Sequence, residues 1–212
     1  QALLRGVLFV AADDVDALAL LADLRSEESG GREEAEALYR RALVLKPDDA
    51  DVRCNLACLL SREPSGLDEA EALCRSALVL VPDEVVALDV LGYILSKDPE
   101  RLDEAVQVLR RAQEIEPDNS SPQASIGVCL SARGGAGDLA EALQLCQQAV
   151  AGAALEDAGA HANALLAHGI VLVRSGDAVA ARAKLVEAQG LDVIVAVANP
   201  YFTDLSLLLE QS

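Results

Sequence analysis

Residues 33–60 read EEAEALYRRALVLKPDDADVRCNLACLL, and this stretch decides the fold because it returns twice along the chain. The pattern recurs at residues 68–95, DEAEALCRSALVLVPDEVVALDVLGYIL, and at residues 103–130, DEAVQVLRRAQEIEPDNSSPQASIGVCL. Corresponding positions are 35 residues apart. An acid pair, two alanines seven residues apart and a Pro-Asp step all share this one period, which indicates an internal repeat.

Each repeat predicts two antiparallel helices. Apolar residues at three- and four-residue spacings form a buried stripe, and alanine or glycine at fixed positions allows helices to approach closely. Proline lacks the N–H that a helix interior needs, so we expect helix breaks near Pro47, Pro82 and Pro117. The acid after each proline is expected to cap or charge the start of the next helix.

The period continues in weaker form toward the C-terminus. The seven-residue alanine gap recurs at residues 142–149 and 181–188, but without the proline. The large apolar position before Gly169 holds His168, and the turn between the helices of the fourth repeat carries extra glycines. The recurring alanine gap predicts a fourth and a fifth helical hairpin.

Composition supports an all-helical protein and excludes some partners. Hydrophobic residues make up 52% of the chain and aromatic residues only 2%, so the core is mostly Ala, Leu and Val, which favours packed helices over a sheet. The formal charge of −18 repels phosphate, so we expect nucleic acid and anionic membrane surfaces to be poor partners. We do not expect direct membrane insertion either. Basic or amphipathic protein segments complement such a surface, although acidity that only maintains solubility is an equal alternative.

The cysteines indicate a reducing environment. Five of them, Cys54, Cys58, Cys74, Cys129 and Cys146, are an odd number without the spacing of a disulfide framework. We therefore expect free thiols and a cytoplasmic or other reducing intracellular location. No apolar run reaches the roughly 18 residues that span a bilayer. The chain starts with Gln1 and contains no methionine, so we expect it to be part of a longer protein.

No catalytic residue, metal or cofactor is predicted. Cys54 and Cys58 share a helix face but lack further ligands at matching spacing. His161 and His168 are expected to be one exposed and one packed histidine, and no third residue orients a Cys–His pair. The glycines at 134–137 lack the Lys and Ser or Thr of a phosphate loop. We therefore expect a protein that is not an enzyme.

The recurring small residues, alanines and prolines resemble the tetratricopeptide repeat family over most of the chain. The resemblance implies an all-α, right-handed α-solenoid of about five helical hairpins with a C-terminal covering helix. The expected segments, all in one solenoid domain, are 1–14 (second helix of a truncated preceding repeat), the repeats 15–49, 50–84, 85–119, 120–156 and 162–195, and 199–212 (capping helix).

In that family the first helix of each repeat lines a concave groove, which implies a set of candidate partner-binding positions here. They are Asp16, Asp23, Asp51, Asn55, Asp89, Tyr93, Val128 and Ile170. The acidic positions lie in the first three repeats and the apolar ones in the last two. Asn55 also matches one position of the clamp by which some members hold acidic chaperone tails. The clamp's basic positions hold Ala19, Asp23, Val86 and Val90, so an acidic tail is not the expected partner.

The resemblance implies a non-enzymatic scaffold or adaptor that binds a basic or amphipathic segment of a protein or peptide partner in its groove. Two alternatives stay open at this stage. The chain could be the recruiting arm of a larger enzyme, or a structural subunit packed inside a multiprotein complex.

Overall fold

A computed structural model describes residues 14–28, 30–153 and 158–191, together with residues 205–206 and 209–210. These residues form helices and turns, with no β-strand among them. Ten α-helices follow one another in the described ranges: α1 (Val15–Glu27), α2 (Arg32–Leu45), α3 (Ala50–Leu60), α4 (Leu67–Leu80), α5 (Val85–Leu95), α6 (Leu102–Ile115), α7 (Ser120–Arg133), α8 (Asp138–Ala153), α9 (Ala158–Arg174) and α10 (Ala178–Leu191).

The helices belong to two compact units, residues 1–94 and residues 95–212. In the first unit α1 packs on α2, α2 on α3, and α3 on α4. In the second unit α7 packs on α6 and α8, and α9 packs on α7, α8 and α10. The predicted fold class, an all-α solenoid of consecutive helical hairpins, is confirmed. The exact limits of each repeat and their union in one domain stay predictions.

The helix breaks fall where the prolines predicted them. Helices end at Leu45, Leu80 and Ile115, two residues before a proline in each case. The expected cap is displaced by one residue, however. The residue second after the proline caps the next helix: Asp49 Oδ1 accepts the Val52 N–H at 3.1 Å. The second residue after the proline is the cap because Asp49 has the extended backbone of an N-cap. This backbone lets its carboxylate reach the N–H groups of the first turn.

The alanines that define the period lie in the core. None has measurable exposure, since a side chain of one carbon lets two helix axes approach until their backbones touch. These are Ala35, Ala42, Ala70, Ala77, Ala105, Ala112, Ala142, Ala149, Ala181 and Ala188. Short 3₁₀ helices at Pro64–Gly66 and Pro99–Arg101 precede α4 and α6 and were not predicted from the sequence. Proline at their first position is the signal that could have revealed them.

The described C-terminal residues cover the end of the second unit. Leu205 is buried, and a Cβ added to Gly169 of α9 would lie 2.6 Å from Leu205 Cδ2. Arg182 of α10 donates a hydrogen bond to the Leu209 carbonyl at 3.1 Å. This agrees with the expected covering helix, whose predicted start at residues 199–200 lies outside the described residues. Residues 1–13 of the truncated repeat predicted at 1–14 also lie outside the described residues. No helix in the described part of the chain has the length and hydropathy needed to cross a membrane.

Candidate partner-binding site

A polar cluster in the first unit centres on Asp23 of α1. Asp23 Oδ1 accepts one hydrogen bond from the hydroxyl of Tyr39 on α2 and a second from Asn55 Nδ2 on α3 at 3.3 Å. Asp23 Oδ2 accepts none from any described residue. Three helices thus orient one carboxylate and leave one of its oxygens available to a further donor.

Tyr39 acts as a fixed donor in this cluster. Burial raises the pKa of its hydroxyl, and the hydrogen bond to the Asp23 carboxylate raises this pKa further. The phenol therefore stays protonated at any physiological pH. A buried tyrosine hydroxyl needs a partner, and Asp23 satisfies it.

The cluster borders a cavity of about 230 Å³ in the first unit. The cavity is large enough for one side chain of a partner but not for a whole peptide segment. Its lining residues come from α1, α2, α3 and the turn that follows α3. They are Asp23, Ser26, Glu27, Tyr39, Asn55, Cys58, Leu59 and Arg62.

The charges around this cavity are unpaired among the described residues. Glu27 lies four residues after Asp23 on α1, is exposed, and forms no ion pair there. Arg62 is exposed as well and has no carboxylate partner in the described ranges. Its side chain interacts with Cys58, whose pKa burial raises and Arg62 lowers in part. The arrangement can therefore hold a cationic group on the α1 side and a carbonyl or carboxylate near Arg62.

Comparison with known proteins identifies the repeat. The tetratricopeptide repeat family model matches residues 17–53, which contain most of α1, all of α2 and the start of α3. Solved structures extend the likeness over most of the chain. A thermophilic tetratricopeptide repeat protein of Thermus thermophilus is 21% identical, with a TM-score of 0.69 over 93% of this chain and 97% of that one. Residues 17–53 match a tetratricopeptide repeat, and the chain has the fold of tetratricopeptide repeat proteins.

Two further structures share the fold of these repeats. PilW, a widely conserved type IV pilus biogenesis factor, is 20% identical with a TM-score of 0.68 over 98% of this chain and 88% of its own. YrrB, a tetratricopeptide repeat protein with an unusual peptide-binding site, is 23% identical with a TM-score of 0.55 over 92% of this chain and 95% of its own. Among curated proteins, no sequence matches this chain. At these identities the likeness establishes the fold.

The first helices of the hairpins carry the predicted binding residues, and the structure brings Asp23 and Asn55 together. Asp23 and Asn55 meet in the cluster described above. Asp16 and Asp51 are exposed near the starts of α1 and α3. Asp89 and Tyr93 are half-buried, one turn apart on α5.

The two apolar positions of the predicted site lie in the second unit and are buried. Val128 of α7 is 7% exposed and Ile170 of α9 is 1% exposed. Arg174 of α9 reaches over to α7, where its Nη1 donates to the Val128 carbonyl at 3.0 Å and to Ser131 Oγ at 2.9 Å. Little of Ile170 is therefore available to a partner while α7 and α9 are packed together. The role of Val128 and Ile170 in partner binding stays a prediction.

Tyr39 was not predicted from the sequence, because only first helices were expected to carry binding residues. Tyr39 lies on the second helix of its repeat, and Cys74 and Leu109 hold the corresponding positions 35 and 70 residues later. A polar aromatic residue at a position that is otherwise small or apolar is the signal that could have found it. Glu27 and Arg62 were not among the binding residues predicted from the sequence either.

The thiols behave as packed core groups. All five cysteines are free, and four of them are buried. Burial raises the pKa of Cys54, Cys74 and Cys146 to about 12, so these thiols are neutral near pH 7 and poor nucleophiles. No set of three or more His, Cys, Asp or Glu residues in the described ranges is arranged to hold a metal ion.

Proposed function

We propose that this protein is a non-enzymatic scaffold that binds a basic or amphipathic segment of a protein partner on the face formed by α1 and α3. The observation that carries the proposal is the Asp23 cluster. Tyr39 and Asn55 both donate to one oxygen of the Asp23 carboxylate, and this carboxylate borders an open cavity. A carboxylate held in this way loses little conformational entropy when a Lys or Arg side chain binds it.

The surrounding charges favour the same kind of partner. Asp16, Glu27 and Asp51 are exposed on the same two helices, and none of them forms an ion pair among the described residues. The chain as a whole carries a formal charge of −18. Such a surface steers a cationic segment toward itself and raises its association rate. The peptide-binding site of YrrB supports the idea that this fold accepts a peptide.

The test uses two synthetic peptides with one sequence pattern. One amphipathic helical peptide carries Lys on its polar face, and its counterpart carries Glu at the same positions. We expect the Lys peptide alone to bind, with an affinity that falls as salt rises over the range in which the Debye length drops below about 8 Å. Fluorescence anisotropy with a labelled peptide measures both affinities.

A matched pair of variants locates the site. Asp16→Lys/Asp51→Lys should weaken binding of the Lys peptide by about tenfold, which corresponds to roughly 1.4 kcal/mol. Glu33→Lys/Asp68→Lys makes the same charge change on the second helices α2 and α4 and should leave the affinity nearly unchanged. Equal weakening by both pairs would mean that only net charge matters. No binding of either peptide would refute the proposal.

One observation favours a structural subunit of a larger assembly as the second candidate. Val44 and Val79 occupy corresponding positions on α2 and α4 and are 79% and 81% exposed. Large apolar side chains at such exposure are common on surfaces that pack against another protein. In that case Val44→Ser/Val79→Ser would release the chain from its native complex during size-exclusion chromatography, whereas Asp16→Lys/Asp51→Lys would not.

A further inference from the structure

A buried histidine in the second unit has no polar partner among the described residues. His168 lies on α9 and is 7% exposed, and neither Nδ1 nor Nε2 forms a hydrogen bond with any of them. Buried polar atoms are nearly always satisfied, because an unsatisfied one loses its bond to water without gaining another. The packed helices therefore favour the neutral form of the His168 imidazole.

The position of His168 connects it to the last hairpin. It occupies the large apolar position that precedes the small residue of each first helix, where Leu56, Leu91 and Ile126 lie in the earlier repeats. Its neighbour Gly169 contacts Leu205 of the C-terminal helical residues. A change at His168 would therefore affect the packing of α9 against α10 and Leu205.

The environment of His168 disfavours protonation of its ring. Lys184 and Glu187, both on α10, are the charged groups that act on the ring, and they form an ion pair with each other at 2.8 Å. No described charged group of α7, α8 or the C-terminal residues contributes. Burial lowers the pKa of His168 most and Lys184 lowers it further, whereas Glu187 opposes them. Glu187 is already engaged by Lys184, so it compensates a positive imidazole only in part.

We propose that His168 is a pH-sensitive latch: its protonation under mildly acidic conditions releases α10 and the C-terminal helical residues from α9. In the packed hairpin the imidazole is neutral, and in the opened hairpin it is hydrated and titrates near its ordinary value of about 6.5. The open state therefore binds the proton first. Acidification below this value favours opening, by up to about tenfold per pH unit, until the packed state titrates as well.

Only the second unit carries this latch, so the first unit should be insensitive to it. The release of α10 and the C-terminal residues would expose apolar residues that are now buried, among them Ala181, Ala188 and Leu205. The end of the repeat stack would then be open to a partner or to another copy in acidic surroundings. The proposal is independent of the peptide site on α1 and α3.

The experiment is hydrogen–deuterium exchange with mass spectrometry at about pH 7.5 and about pH 5.5, corrected for the intrinsic exchange rate. The wild-type protein should show faster corrected exchange in α10 at the lower pH, by up to about tenfold, with α2 and α4 unchanged. His168→Leu removes the titrating ring and should abolish this change. His161→Gln, on the same helix at a half-buried position, should respond as the wild type does.

Direct titration keeps the test decisive if the leucine variant does not fold. The His168 ring resonances should report a native pKa below about 6.5, and His168→Gln should lose the acid response of α10. A native pKa at or above about 6.5 would overturn the proposal. So would an acid response of α10 that persists without His168.

Discussion

Gly127 is the position where the packing of this repeat can be tested most directly, because the distances from an added methyl group to its neighbours are known. A Cβ added to Gly127 of α7 would lie 2.5 Å from Cys146 Sγ and 3.1 Å from the Ala142 carbonyl oxygen, both on α8. Unstrained carbon contacts are about 3.5–4.0 Å. Cys146 is fully buried and is held between the two helices. We therefore expect Gly127→Ala to force α7 and α8 apart.

The magnitude follows from two opposing effects. Overpacking of a well-packed core costs about 1–3 kcal/mol, and the backbone contact on α8 places this case at the upper end. Alanine is also the better helix former by about 1 kcal/mol, which offsets part of that cost. The net loss should be about 2 kcal/mol, or a fall in melting temperature of roughly 4–8 °C. Urea denaturation followed by circular dichroism measures the free energy of unfolding.

A second substitution tests the cause. Cys146→Ala removes the sulfur at a cost on the order of 1 kcal/mol. Combined with Gly127→Ala it should relieve the clash, so that the double variant is more stable than Gly127→Ala alone. The coupling energy between the two sites should be about 2 kcal/mol.

A matched control is available on α8 itself. A Cβ on Gly152 would meet nothing closer than Ser120 Cβ at 3.9 Å. Gly152→Ala should therefore leave stability unchanged or raise it by up to about 1 kcal/mol. Two results would contradict the close approach of α7 and α8. One is a Gly127→Ala variant as stable as Gly152→Ala, and the other is a double variant in which the effects of Gly127→Ala and Cys146→Ala on the free energy of unfolding are additive.

Two further expectations follow from the titrating groups. Hydrogen bonds from Arg133 hold the pKa of Asp138 at about 2, below the ordinary carboxyl value of about 4, so the stability from this pair is present above about pH 4 and is lost as pH falls toward 2. Acid denaturation of Asp138→Asn should lack this component, and an unchanged acid transition would contradict it. Cys54, Cys74 and Cys146 should react with a thiol reagent at about pH 8 only after unfolding, and rapid reaction of all five thiols in the native protein would show that the core is open.

Much of the fold was predictable because its determinants are local. Proline ends a helix wherever it occurs, so Pro47, Pro82 and Pro117 mark the breaks without any knowledge of the tertiary structure. The acid pairs occupy the first turns of α2, α4 and α6, where the helix dipole favours them. The alanine period predicted the buried contacts, since each repeat meets mainly its neighbours.

The binding site was only partly predictable, because its geometry joins residues distant in sequence. The repeat register assigned Asp23 and Asn55 to one face, but it could not show that both meet Tyr39 from a second helix. Nor could it show that Arg174 reaches over to the Val128 carbonyl and that Val128 is buried. Periodicity determines which face of a helix a residue lies on. Whether that face is open or covered depends on the lengths and charges of side chains on neighbouring helices, and only the tertiary structure decides that.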